Sequence, residues 1–177
     1  MEVKRDGTNP PFIMVVYIIL LIMGVKTFMP KLFDKSYVKG ESFSARTPEG
    51  WTIQKHKHEI IFTSAEADII TEMPYAIFSI YAEKQKNAIF MDDFFPEMLA
   101  ALKRENGKVL GTGDELIDKQ KAKWVLFRYN QPDIAVMTLF IVDDYNRLTR
   151  IQFVGVGKTF KEYGKLFNEF KKSITLK

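Results

Sequence analysis

The fold is decided by three apolar runs joined by two short polar ones. The runs are Lys121-Ala-Lys-Trp-Val-Leu-Phe-Arg-Tyr129, Ile134-Ala-Val-Met-Thr-Leu-Phe-Ile-Val142 and Arg147-Leu-Thr-Arg-Ile-Gln-Phe-Val-Gly-Val156. Between them lie Asn130-Gln-Pro-Asp133 and Asp143-Asp-Tyr-Asn146, which are turn-forming sequences of hairpin length. Connections this short make neighbouring antiparallel strands the natural arrangement. In the first run both alternating sets carry bulk, with Trp124 and Leu126 on one face and Val125, Phe127 and Tyr129 on the other. A sheet that is apolar on both faces needs cover on both faces.

Working outward, the sequence offers two amphipathic helices as covers. The first is expected at about 93–106, capped by Asp92 or Asp93, with Phe94, Phe95, Met98, Leu99 and Leu102 on one face and Gly107 as a left-handed terminator. The second is expected at about 160–173, where Thr159 and Glu162 suggest a capping box. Phe160, Tyr163, Leu166, Phe167, Phe170 and Ile174 form its apolar stripe, leaving Lys161, Lys165, Lys171 and Lys172 for solvent. Further strands are expected at 42–46, at 51–63 as one strand or a bent pair, at 67–72, at 75–84 and, more weakly, at 108–117. The turn Thr47-Pro-Glu-Gly50 precedes Trp51, and Pro74 separates the strands at 67–72 and 75–84.

Ahead of this domain lies Phe12-Ile-Met-Val-Val-Tyr-Ile-Ile-Leu-Leu-Ile-Met-Gly-Val25, followed by Lys26 and by Thr27 to Met29. If Lys26 snorkels, the eighteen residues from 12 to 29 reach roughly 27 Å, enough for a hydrocarbon core. Asn9, Pro10 and Pro11 mark the start of the helix. No small residues offer a cleavage site after Val25, so an uncleaved signal anchor is favoured over a cleaved secretory signal. Apolar residues all round the helix argue against a buried helix of the domain. The anchor residues include Phe12, Tyr17, Leu20, Leu21, Val25, Lys26 and Phe28. The expected organisation is therefore a cytoplasmic tail at 1–11, a transmembrane signal anchor at 12–29, a tether at 30–41 and one α/β domain at 42–177.

Two rules disagree about orientation. Lys4 and Arg5 precede the span, whereas Lys26, Lys31, Lys35 and Lys39 follow it, which taken literally places the domain inside the cell. A short basic start before an apolar run is nevertheless the form of an export signal. The reading adopted is a single-pass protein with an extracytoplasmic domain, either periplasmic or at the cell surface.

The chain of 177 residues leaves room for one domain, and its net charge of +4 describes a mixed surface without a nucleic-acid footprint. Zero cysteines exclude disulfides, thiolate zinc sites, thiol catalysis and lipidation at cysteine. Fifteen Phe imply a bulky core. His56 and His58, two apart on an expected strand, would project to one side as two ligands of a divalent metal could, but no third ligand is identified. Asp92 with Asp93, and Asp143 with Asp144, read as helix-capping and turn residues rather than acid/base pairs. Gly111-Thr-Gly113 lacks the lysine of a phosphate loop and reads as a bend in a strand. Ser42, Ser44, Ser64, Ser79 and Ser173 have no nucleophile-elbow context. Arg128 shares a face with Trp124 and must reach the sheet edge or meet an acid. No catalytic residue, cofactor or metal site is therefore assigned.

In order, these pieces resemble the PsbP-like family, the group of the photosystem II extrinsic protein and bacterial relatives of the DcrB type. The features that carry the resemblance are Pro48-Glu-Gly-Trp51, a helix between the early strands and a run of hairpins, and a terminal helix ending Phe170-Lys-Lys-Ser-Ile174. The resemblance covers about 42–175. It implies an α+β domain built as an α/β/α sandwich with a central antiparallel sheet, generally without enzymatic activity, often exported and often assisting a larger membrane complex. The absence of a cysteine to acylate sets this chain apart from the lipoprotein members. The uncleaved anchor sets it apart from PsbP, so a photosynthetic role is not expected. The expected function is a membrane-anchored, non-catalytic binding or assembly module, an accessory subunit whose partners are the bilayer and a membrane protein. The alternative is an extracytoplasmic ligand- or metal-binding sensor with a groove between sheet and terminal helix.

Overall fold

The computed structural model describes residues 37–67, 73–130 and 133–177. The stretch 12–29, with the anchor residues named above, lies outside them. Among the described residues no helix is long and apolar enough to cross a membrane. Residues Asp34–Lys177 form one compact unit.

Among the described residues ten strands and two helices follow in the order β1 (Tyr37–Lys39), β2 (Phe43–Arg46), β3 (Thr52–Lys55), β4 (Glu59–Thr63), β5 (Ala76–Lys84), α1 (Met91–Arg104), β6 (Lys108–Ile117), β7 (Gln120–Asn130), β8 (Asp133–Val142), β9 (Arg147–Val156), α2 (Thr159–Lys172) and β10 (Thr175–Leu176). Seven strands make one antiparallel sheet in the order β3-β4-β5-β9-β8-β7-β6. The hairpins joining β6 to β7, β7 to β8 and β8 to β9 follow the short turns, whereas β5 pairs with β9 along its whole length, from Ala76↔Gly155 to Lys84↔Arg147. The stretch 51–63 is the bent pair, because the chain turns at 56–58 and brings Thr52 opposite Thr63. Of the strand expected at 67–72, Ala67 forms an isolated bridge with Pro74 and 68–72 fall outside the described residues.

A second, three-stranded sheet in the order β1-β2-β10 is absent from the sequence expectation. Its strand β1 lies in the stretch read as a tether, and Val38 packs against the core. Strands of two or three residues carry too little pattern to be read locally, whereas the four-residue β2 falls where a strand is expected at 42–46.

The register puts Phe62, Phe78, Phe153, Leu139 and Trp124 on one face of the large sheet, and α2 lays Phe160, Phe167 and Phe170 on that face. Phe153 stacks on Phe160 with centroids 4.4 Å apart, and Phe78 lies 5.1 Å from Phe167 and 5.0 Å from Phe170. Phe78, Phe153 and Phe167 are essentially inaccessible to water. The space between the sheet and Phe160, Phe167 and Phe170 of the terminal helix is thus filled with rings. On the opposite face α1 sets Phe94 and Phe95 against Phe140, at 5.4 and 6.4 Å. Helices on both faces give the sandwich that the apolar runs require.

Local corrections concern helix ends. Helix α1 begins at Met91 with Phe90 as N-cap and no side-chain cap bond, so Asp92 and Asp93 sit within the first turn, where their charge favours the helix dipole. Its end is a Schellman motif in which Asn106 holds the positive φ of 61°, Asn106 N–H donates to Lys103 O and Gly107 N–H donates to Leu102 O. Gly107 is needed for room, since a Cβ there would stand 2.9 Å from Leu102 O. The capping box at α2 does not form either. The helix starts at Thr159, whose hydroxyl lies 2.9 Å from Tyr75 O and 2.5 Å from Val156 O.

Candidate functional site

Among the described residues a groove of about 690 Å³ with both apolar and charged walls lies where the first turn of α1 meets the ends of β6, β7 and β8. Met91, Ala122 and Val142 form its apolar lining, and Asp92, Asp114 and Lys123 its polar one. Lys123 Nζ lies 3.6 Å from Asp92 Oδ1 and 3.5 Å from Asp114 Oδ1, and 5.9 Å over the Phe95 ring. Leu116 on the groove wall is 68% exposed, and Phe90, one residue before Met91, is equally so. Such side chains in water carry unspent burial energy.

Phe90 is held out by a pinned loop. The Asn146 side chain accepts from Ile89 N–H at 2.9 Å and donates to Gln85 O at 3.1 Å and Asn87 O at 2.7 Å, while its own φ of 56° turns the β8–β9 hairpin. Asp143 completes that turn by accepting from the N–H groups of Tyr145 and Arg147, both at 2.9 Å. Asp143 therefore plays the turn role the sequence suggested.

Glu115, beside the groove, belongs to the other face. Both its oxygens accept from Lys171 Nζ, at 2.7 and 2.8 Å, and Lys171 also lies 5.4 Å over the Phe167 ring. Lys171 is only 7% exposed, which corrects its placement in solvent. Burial demands a partner for an ammonium, and the partner sits 56 residues away in sequence.

The other residues singled out by sequence are accounted for structurally. His56 and His58 lie in the turn between β3 and β4 rather than on a strand, and His58 Nδ1 is 3.8 Å from Glu41 Oε2. Among the described residues no three His, Asp or Glu side chains gather as a metal site would need. Arg128 meets its acid in a bidentate pair with Asp133, both bonds at 2.7 Å. The hydroxyl of Ser64 donates to Glu66 O and accepts from Ala76 N–H, and that of Ser173 donates to Phe170 O and accepts from Arg46 N–H. Gly111 and Gly113 are not a phosphate cradle. The Trp124 indole lies across both, with a β-bulge between Val109 and Gly111.

Two further polar clusters lie on the domain away from the α1/β6 groove. On the α1 side of the sheet the Tyr81 hydroxyl donates to Glu83 Oε2, and Arg150 stacks 5.3 Å over the Tyr81 ring with Nη2 3.7 Å from Glu59 Oε1. Burial, with the Glu83 bond added, pushes the Tyr81 phenol up to about 12, and burial lowers Arg150. At the N-terminal end of α2, a depression of about 440 Å³ is lined by Glu66, Tyr75, Thr159, Glu162 and Tyr163. The Tyr163 hydroxyl donates to Glu66 Oε2 at 3.4 Å, and its pKa is raised by burial first and Glu66 second. Neither cluster sets a free nucleophile beside a base. The α1/β6 groove is suited to recognition through an apolar contact framed by charge. Its only signal in the sequence is Leu116, an apolar residue among polar ones on an edge strand.

The sequence matches no protein-family model, and no curated protein matches it. Solved structures do resemble it in fold. PA94 of Pseudomonas aeruginosa, a protein of unknown function, superposes with a TM-score of 0.58 at 12% identity, covering 80% of this chain and 96% of its own. Cyanobacterial PsbP (CyanoP) of Synechocystis sp. PCC 6803 gives 0.55 at 9% identity, covering 86% and 99%. The Ran-binding protein Mog1p of Saccharomyces cerevisiae gives 0.53 at 8% identity, covering 82% and 96%. The chain has a PsbP/Mog1-like α+β fold.

Proposed function

We propose that this protein is a membrane-tethered, non-catalytic binding module whose partner is a protein of a membrane complex. The observation that carries the reading is the α1/β6 groove, where exposed Leu116 shares the wall with the Lys123 bridge between Asp92 and Asp114, and Phe90, next in sequence to the lining Met91, is equally exposed. Apolar anchors ringed by polar groups are the common form of a protein interface. Two considerations support the wider reading. One is the fold, shared with a Ran-binding protein and with a PsbP. The other is the uninterrupted apolar run from Phe12 to Val25, read as a single-pass anchor with the domain on the extracytoplasmic side.

The test is a photo-cross-linking amino acid placed at Leu116, with exposed Thr52 on the far edge strand as control, in the full chain in its native membranes. A discrete adduct from position 116, absent from position 52 and abolished by Phe90→Asp, is expected. Equal adducts at both positions, or none at 116, would refute the assignment of the groove.

A further inference from the structure

Helix α2 presents four lysines along one line of its outer surface. At 100° per residue, Lys158, Lys161, Lys165 and Lys172 fall within an arc of about 60°, opposite the stripe of Phe160, Tyr163, Phe167 and Phe170 that faces the sheet. All four are exposed, and among the described residues none joins an ion pair. Asn168 borders this arc by about 20° on one side, and Glu169 and Glu162 border it by about 20° and 40° on the other. The surface is thus a ridge about 21 Å long on which four lysines outnumber the two carboxylates, Glu162 and Glu169, that flank them.

The ridge ends where the chain comes into the domain. Tyr37, the first residue of β1, pairs with Arg46, and Arg46 N–H donates to Ser173 Oγ at 3.0 Å, one residue beyond Lys172. Tyr37 is 55% exposed there, and Lys39 and Arg46 add two exposed cations. Residues 30–36 extend at most about 25 Å. With 12–29 in a bilayer, Tyr37 therefore stays within that distance of the headgroups.

We infer that the outer face of α2, with Lys158, Lys161, Lys165, Lys172 and the neighbouring Arg46, docks on the anionic lipid surface of the membrane that holds the chain. This rests on the anchor reading above. The charge that favours it is supplied by acidic headgroups, and Tyr37 is of the residue type that settles at such an interface. Docking on that face leaves the α1/β6 groove, on the opposite side of the sheet, open to a protein. Each lysine near an anionic surface favours the docked state by about fivefold, an advantage that salt removes.

The experiment uses the full chain, which has no native cysteine. Asn168→Cys carries a polarity-sensitive fluorophore, and Thr112→Cys on β6 serves as the control. Each is reconstituted into nanodiscs of phosphatidylcholine alone or with about one third phosphatidylserine. In the anionic discs position 168 is expected to shift to the blue and position 112 to stay unchanged. The shift should disappear at high salt and in Lys161→Glu/Lys165→Glu/Lys172→Glu, with a cooperative melt showing that the variant stays folded although like charges and the helix dipole lower its melting temperature. Identical emission at 168 in both lipids overturns the inference, as does a shift that survives the triple reversal. Flotation with liposomes separates this from failure of the anchor. A chain that does not float with either lipid refutes the tethering and the inference with it, whereas one that floats with both and shows no charge dependence refutes only the docking.

Discussion

Replacing Gly113 by alanine tests the packing of the sheet edge, because the two glycines under Trp124 differ in how much room they leave. A Cβ at position 113 would lie 2.8 Å from Cε2, Cζ2 and Nε1 of the indole, whereas one at 111 would lie 3.5 Å from Cη2 and Cζ3. Carbon contacts are optimal at roughly 3.5–4.0 Å, so the indole must retreat by about 0.7 Å for the first and not at all for the second. Trp124 packs against the core cluster that contains Leu139 and Phe167, and it has no flexible end to yield. Overpacking of this kind costs about 1–3 kcal/mol, offset by the ~0.5–1 kcal/mol that alanine gains over glycine within a strand. Gly113→Ala should therefore lose about 1–2 kcal/mol, and Gly111→Ala should be neutral or slightly stabilising. Urea unfolding of a fragment spanning 34–177, followed by circular dichroism, measures both. In a Trp124→Ala background the sign at 113 should reverse, since the obstacle is gone and only the backbone gain remains. The account is refuted if Gly113→Ala is as stable as Gly111→Ala, or if its penalty persists without the indole.

Three further outcomes are expected. Glu115→Ala strands the buried Lys171 ammonium and should cost on the order of 3 kcal/mol, while Glu115→Leu with Lys171→Leu should recover most of it; chemical denaturation of the three forms decides, and equal loss in the double variant would show that the pair itself is stabilising. The raised Tyr81 phenol favours folding up to its unfolded pKa near 10, and this contribution is lost as pH rises through about 12. Melting temperatures of Tyr81→Phe should accordingly fall less steeply than those of the parent between these values, and parallel curves would remove the role of burial at this site. Orientation is read by an impermeant maleimide on intact cells or spheroplasts, which should label Ser36→Cys and spare Gly7→Cys, and the reverse pattern would place the domain in the cytoplasm.

The sequence by itself determined the strands from 75 to 156, the two helices and their inward faces. A period of two or 3.6 and the chemistry of a tight turn are written in four to fifteen consecutive residues. Short turns likewise made β6 to β9 neighbours. The anchor proposed for 12–29 rests on the sequence pattern alone. What only the tertiary structure decided is non-local: β5 closes on β9 across α1, β1 and β10 meet on β2, and Lys171 finds Glu115. Asn146 pins the loop before Phe90, and Trp124 lies across two glycines that looked like a bend. Which strand edge takes which partner, and which buried charge finds which acid, is settled by competition for burial and hydrogen bonds among residues far apart in the chain, and no local window of sequence carries that information.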